Sequence, residues 1–180
     1  MNSFTQQIQN NHKRYNVFVS ITCFNHRFYQ DQMEKVRATG IIIYRCLKGA
    51  LPELLLLQTS YNHEWAPPKG HVDPGESDLE TAYRETEEEA GIKKSEINLH
   101  EDFCNEIEYV VTRSFNHKAD TQRQKSSVFF LGQVDYSQKV TLSEEHVGYK
   151  WIVFDEAKKS TKFENYVNLY EAAQLFLNKN

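Results

Sequence analysis

Two apolar, β-rich runs stand at 39–47 (TGIIIYRCL) and 53–59 (ELLLLQT), and the short loop 48–52 between them predicts a pair of strands. A loop with Trp65 and the rigid Pro67–Pro68 step follows, over 60–72. From 78 to 90 the period changes to that of a helix, with Leu79, Tyr83, Thr86 and Ala90 as its expected core face. Strand-like stretches return at 101–111, 127–134 and 149–154, and 164–177 alternates at helical spacing. Between the later strands, 112–124 reads as a long polar loop carrying Arg113, His117, Lys118 and Arg123. Strands and helices mixed in this way predict a layered α/β or α+β domain. Residues 1–35 differ, being rich in Gln and Asn, and 15–24 reads equally as a strand or as part of a tail. The expected division is an extension of unassigned role at 1–32 and a domain at 33–180, with Met33 opening the domain-like part as a candidate ancestral start.

Composition and charge narrow the classes. A chain of 180 residues suits one domain with a real core. The formal net charge of −4 provides no broad field for a nucleic-acid polymer, so no stable partner of that kind is expected, while a small anionic substrate stays open. Cys23, Cys46 and Cys104 are odd in number and scattered, which points to a reducing, cytoplasmic compartment rather than a disulfide framework. No apolar run approaches bilayer length and no signal-peptide core follows the polar start, so no membrane association is expected. The expected state is a monomer.

The helix carries the candidate chemistry. Ser77 and Glu80 form an S-x-x-E capping box, Asp78 and Glu80 suit the positive end of the helix dipole, and Gly91 stands where a left-handed residue ends a helix. Glu85, Glu88 and Glu89 cluster on one side at i, i+3 and i+4, where like charges repel. A divalent cation removes that conflict, and oxygen-only ligands favour Mg²⁺ or Mn²⁺. Arg84, four residues before Glu88, can orient it. Taken alone, three glutamates favour a solvated acidic face. The surrounding spacing reverses that preference.

Gly70, Glu76, Arg84, Glu85, Glu88, Glu89, Gly91 and Ile92 fit G-x5-E-x7-R-E-x-x-E-E-x-G followed by an aliphatic residue. This resembles the signature box of the Nudix hydrolases, with Thr86 in place of the usual aliphatic residue. The resemblance implies an α/β/α sandwich with a mixed sheet, the box forming a loop, a helix and a loop. It also implies Mg²⁺- or Mn²⁺-dependent cleavage of a diphosphate linkage in a nucleotide. Carried over position by position, Glu85, Glu88, Glu89 and the backbone carbonyl of Lys69 are metal ligands, and Glu76 and Arg84 hold the helix.

The flanks are similar to the animal-type asymmetrical diadenosine tetraphosphate hydrolases, through W-x-P-P-K-G-H-V-x-P-G-E at 65–76, Glu108–Tyr109, Lys125–Ser126, and L-S-E-E-H with Tyr149 and Trp151. That likeness runs from about Val36 to the end of the chain. It implies cleavage to ATP and AMP, with Glu145 as a further ligand and as a rival of Glu85 for general base. Lys69, His63 and Lys125 match phosphate-side positions, Tyr61 a substrate-side tyrosine, and Tyr109 and Phe163 adenine-stacking positions. For Tyr109 and His63 a core-facing ring and an exposed loop residue are equal alternatives, and for Phe163 simple packing is the stronger one. Trp65 and Trp151 are expected in the core. Glu64 follows His63 where the group often has a second histidine, Glu144 replaces another histidine, and 112–124 is longer. These departures bear on substrate choice, and capped or triphosphorylated RNA 5′ ends are the alternative substrate. A catalytically silent binding module is disfavoured by the intact set of acids, and nothing supports a purely structural role.

Overall fold

A computed structural model describes residues 34–115 and 118–179. Residues 36–110 and 125–180 form one unit, and 1–35 with 111–124 are grouped apart from it. The elements are β1 (Glu34–Arg45), β2 (Glu53–Thr59), β3 (Trp65–Ala66), β4 (Lys69–His71), α1 (Asp78–Ala90), β5 (Asn98–Phe115), β6 (Lys118–Gln133), β7 (His146–Val153), α2 (Phe154–Ser160) and α3 (Glu164–Lys179). A 3₁₀ turn, Lys94–Glu96, joins α1 to β5.

One seven-stranded sheet runs β3-β2-β1-β6-β5, with β4 on β1 and β7 on β2. The β1–β2, β1–β4, β2–β3 and β2–β7 ladders are antiparallel. The Val134 amide just after β6 donates to the Tyr44 carbonyl near the end of β1, and Ser126 near the middle of β6 meets Arg37 near the start of β1. These two strands therefore run the same way and the sheet is mixed. The uninterrupted apolar runs of β1 and β2 have their cause here, because both faces of these strands are buried. Ile42, Tyr44, Leu54, Leu56, Phe129 and Leu131 meet Phe154, Ala157, Leu169, Tyr170 and Ala173 of α2 and α3. Ile41, Ile43, Leu55 and Leu57 meet Ala82 and Ala90 of α1. Helices thus cover both faces, as expected, in an α+β domain.

Three expectations are corrected. Residues 112–115 and 118–124 continue β5 and β6 as strand instead of forming a loop. A strand needs backbone pairing, not apolar side chains, so a polar strand escapes a reading of apolar alternation. Helix α2 begins at Phe154, where a strand end was expected. The buried stripe of α1 is Thr81, Ala82, Thr86 and Ala90, rotated from the expected one, with Leu79 and Tyr83 at its half-buried margin. Trp65 and Trp151 pack against the two core clusters, as expected. The extension 1–32 and the start at Met33 lie outside the described residues.

Candidate active site

Backbone conformation at both ends fixes where α1 starts and stops. The Glu76 amide bonds the Asp73 carbonyl at 3.1 Å across a turn in which Gly75 has φ 94°. The Ser77–Glu80 capping box is complete, and Gly91, at φ 69°, donates its N–H to the Glu87 carbonyl. The loop after β6 docks on the far end of the helix, where the Thr141 amide donates to Ala90 O at 2.9 Å and the Ser143 amide to Glu89 O at 3.3 Å. These bonds satisfy carbonyls that a helix leaves open at its C-terminus and bring Glu145 to the acid face.

Arg84 is the hub of that face. Its Nε and Nη2 donate to the two Glu76 carboxylate oxygens at 2.9 and 3.0 Å, Nη1 to Glu85 Oε1 at 2.7 Å and Glu88 Oε2 at 3.1 Å, and Nη2 to the His71 carbonyl at 3.1 Å. The bond from Arg84, helped by Thr81 Oγ1 at 2.6 Å, depresses the Glu76 carboxyl to about 2. Glu85 and Glu89 point inward with side chains 13% and 12% exposed, whereas Glu88 is 58% exposed. Burial raises the proton affinity of Glu85 against the pull of Arg84, and the charges of Glu88 and Glu145 add to it. Burial pushes Glu89 up to about 7, with Glu85 and Glu145 contributing, although Glu89 Oε2 accepts the Lys69 amide at 2.9 Å.

Among the described residues no three acidic, cysteine or histidine groups converge tightly enough to encircle an ion, because Glu85 and Glu88 turn to Arg84 and Glu89 turns to the Lys69 amide. The donor set nevertheless fits a hard divalent cation. It is made of oxygens, and the charges of Glu88 and Glu145 raise the proton affinity of Glu85 while those of Glu85 and Glu145 raise that of Glu89, an electrostatic conflict that a cation relieves.

Gly70 makes this packing possible. A Cβ there would stand 2.0 Å from Glu85 Cδ. Gly70→Ala is expected to displace the Glu85 carboxylate, lowering turnover by at least about tenfold, the lower end for disturbing the support of a metal site. The obstacle is the far end of a flexible side chain, so the melting temperature should stay near that of the unaltered chain. Parallel rate assays and thermal melts check this, and full turnover would separate Glu85 from the reaction.

Of the residues expected to meet the nucleotide, Tyr109 is half-buried on β5, its hydroxyl 3.3 Å from Ser127 Oγ, and its ring packs against the core. Phe163 is 45% exposed beside Tyr166, with ring centroids 6.5 Å apart. Lys125 is half-buried on β6. Tyr61 and His63 sit exposed in the loop after β2, where His63 has φ 57°. That loop reaches the Glu145 segment, with the Ser60 amide donating to Glu145 O at 2.8 Å.

Three residues in or beside the site escaped sequence reasoning. His146, its side chain 5% exposed, sets Nε2 3.9 Å from Glu89 Oε1, and its Nδ1 is 3.2 Å from Ser143 Oγ. Burial and then Lys69 lower its pKa, against the pull of Glu145. Its signal was the last position of L-S-E-E-H. Tyr166 lies between the aromatic side and the acids, its hydroxyl proton held by burial and then by Tyr109, Tyr170 and Glu89. Arg37 Nε and Nη2 bond both Asp78 oxygens at 2.8 and 2.6 Å and Nη1 bonds Glu106 at 3.0 Å, tying the start of α1 to β1 and β5. Neither Tyr166 nor Arg37 leaves a local mark in the sequence.

The NUDIX domain model matches residues 34–172. The asymmetrical bis(5′-nucleosyl)-tetraphosphatase of Mus musculus is 40% identical over 149 residues, covering 79% of this chain and 95% of that protein. An RNA pyrophosphohydrolase of Cronobacter sakazakii is 26% identical over 99 residues, covering 51% and 56%. The crystal structure of a C. elegans Ap4A hydrolase binary complex superposes with a TM-score of 0.70 at 38% identity, covering 81% of this chain and 99% of that one. With a family model spanning most of its length, and with the capped acidic helix that the family's box describes, the chain belongs to the Nudix family.

Proposed function

We propose that this chain is a divalent-metal-dependent hydrolase of diadenosine tetraphosphate and related dinucleoside polyphosphates, releasing ATP and AMP by attack of water on a phosphate. The observation that carries the chemistry is the pair of inward-facing carboxylates, Glu85 and Glu89, whose proton affinities are raised by burial and by neighbouring acids. Support for the substrate comes from the mouse relative's activity and near-complete coverage.

Glu85, Glu88, Glu89, Glu145 and the Lys69 carbonyl would hold Mg²⁺ or Mn²⁺. The ion, when bound, neutralises charge on the diphosphate and acidifies water. Arg84 fixes Glu85 and Glu88 from the side through the same guanidinium. Glu85 and Glu145 are the rival bases that take the proton from water. Of Glu85→Gln and Glu145→Gln, the variant that loses turnover but keeps its stabilisation by Mg²⁺ identifies the base. Lys69, His63 and Lys125 bind phosphate, Tyr109 and Phe163 stack on adenine, and Tyr61 lines the substrate side. The expected partner is a small nucleotide and the expected state a monomer. Cytoplasmic action is inferred from the odd, scattered cysteines. No described helix is long and apolar enough to cross a membrane.

The test is product analysis by anion exchange after incubation with Mg²⁺ and diadenosine tetraphosphate in ¹⁸O-labelled water, with capped RNA in parallel. ATP and AMP with label in one product support the reading; turnover of capped RNA alone overturns the substrate. Tyr109→Ala should raise KM by about fivefold to a hundredfold with kcat little changed, the cost of one lost base stack. An unchanged KM returns Tyr109 to the core.

A further inference from the structure

The segment 161–166, which leads into α3, is attached at two places. Asn165 Nδ2 donates to the Glu108 carbonyl of β5 at 2.7 Å. Lys162 Nζ lies 2.5 Å from Glu64 Oε1, in the loop that precedes β3. Strands β5 and β3 stand at opposite ends of the order β3-β2-β1-β6-β5, and Phe163 lies in the chain between the two residues that make these attachments.

The loop on the Glu64 side has its own framework. The Thr59 amide donates to Glu64 O at 3.1 Å, the Glu64 amide to Asn62 Oδ1 at 3.1 Å, and Gln58 Nε2 to His63 O at 3.1 Å. Lys162 Nζ also sits 5.2 Å from the centroid of the Phe163 ring, so one ammonium is in range of both the carboxylate and the ring. The Lys162 and Glu64 side chains are 69% and 33% exposed, which leaves the pair open to exchange with solvent.

We propose that the Glu64–Lys162 ion pair is a specificity latch: it sets the separation between the Phe163 ring and the loop bearing His63, and so selects dinucleoside polyphosphates by the length of their phosphate chain. The inference rests on the hydrolase reading above. A ligand that stacks a base on Phe163 and places a phosphate at His63 must span the distance that the pair holds. With the pair intact that distance is fixed; with it broken the ring side is free to shift, and a longer chain is accommodated at less cost.

The experiment compares kcat and KM for diadenosine tetraphosphate and pentaphosphate. The proteins are the unaltered chain, Glu64→Gln, Lys162→Gln and the exchanged double variant Glu64→Lys with Lys162→Glu. Each single variant should move the kcat/KM ratio about two- to fivefold toward the longer substrate, the range open to an exposed ion pair. The change should lie in KM, with kcat within about twofold, and the exchanged variant should return the ratio to that of the unaltered chain. A purely structural role would lower both substrates equally. Single variants with an unaltered ratio, or an exchange that restores nothing, overturn the latch while the hydrolase reading stands. An unaltered chain that cleaves neither nucleotide overturns both.

Discussion

Replacing Glu89 by glutamine should lower turnover by about three orders of magnitude without unfolding the chain. A metal ion supplies several kcal/mol of charge stabilisation to the reaction, and each 1.36 kcal/mol is a factor of ten. The stability side follows from burial. The Glu89 carboxyl is pushed up from its ordinary 4.5 to about 7, so between those values the folded chain holds a proton that the unfolded chain has lost. Stability therefore falls as pH rises from about 4.5 to about 7, and above that range the ionised Glu89 carries a standing penalty on the order of 3 kcal/mol. Glutamine removes the penalty and still offers an oxygen to the Lys69 amide, which now donates to Glu89 Oε2. Thermal melts without metal should show Glu89→Gln at least as stable as the unaltered chain at pH 8 and indistinguishable from it at pH 4. Added Mg²⁺ should raise the melting temperature of the unaltered chain and move the variant much less. A variant that melts lower at pH 8, or that keeps its turnover, would remove Glu89 from the acid site.

Helix α1 is readable from residues alone because each of its boundaries has a local chemical cause, the Ser77–Glu80 box at one end and Gly91 in the left-handed region at the other. The apolar runs of β1 and β2 are readable for a related reason: burial on both faces leaves no polar position to blur them. Local reading fails where the cause is distant. Helix spacing puts Glu85, Glu88 and Glu89 on one side but cannot say which of them tertiary packing buries. Glu85 and Glu89 turn inward because β4 passes beneath them at Gly70 and Lys69, and Glu88 stays out with Arg84. The same limit hides Arg37, whose partners Asp78 and Glu106 are 41 and 69 residues away. Residues 112–115 and 118–124 mislead for the opposite reason, since backbone pairing there leaves no apolar signature.

Arg84→Lys should cost a large part of the turnover, although the charge is kept. The guanidinium makes five hydrogen bonds in fixed directions, to both Glu76 oxygens, to Glu85, to Glu88 and to the His71 carbonyl. Lysine has three donors on one atom and no planar fork, so it satisfies one or two of these acceptors and frees the others. The raised proton affinity of Glu85 is held in check chiefly by the Arg84 bond, and a weaker bond leaves that carboxyl less ready to ionise and less constrained in direction. Turnover should fall about ten- to a hundredfold, with the Mg²⁺ concentration for half-maximal rate rising by a similar factor, as when a group orienting metal ligands is removed. Saturating Mg²⁺ should recover most of the loss if Arg84 acts by holding Glu85 and Glu88 in place, because metal binding then supplies the order that lysine cannot. A loss of the same size at every Mg²⁺ concentration would instead mean that the guanidinium touches the reacting phosphate. A variant within about threefold of the unaltered chain at low Mg²⁺ would show that Glu85 and Glu88 keep their positions without it.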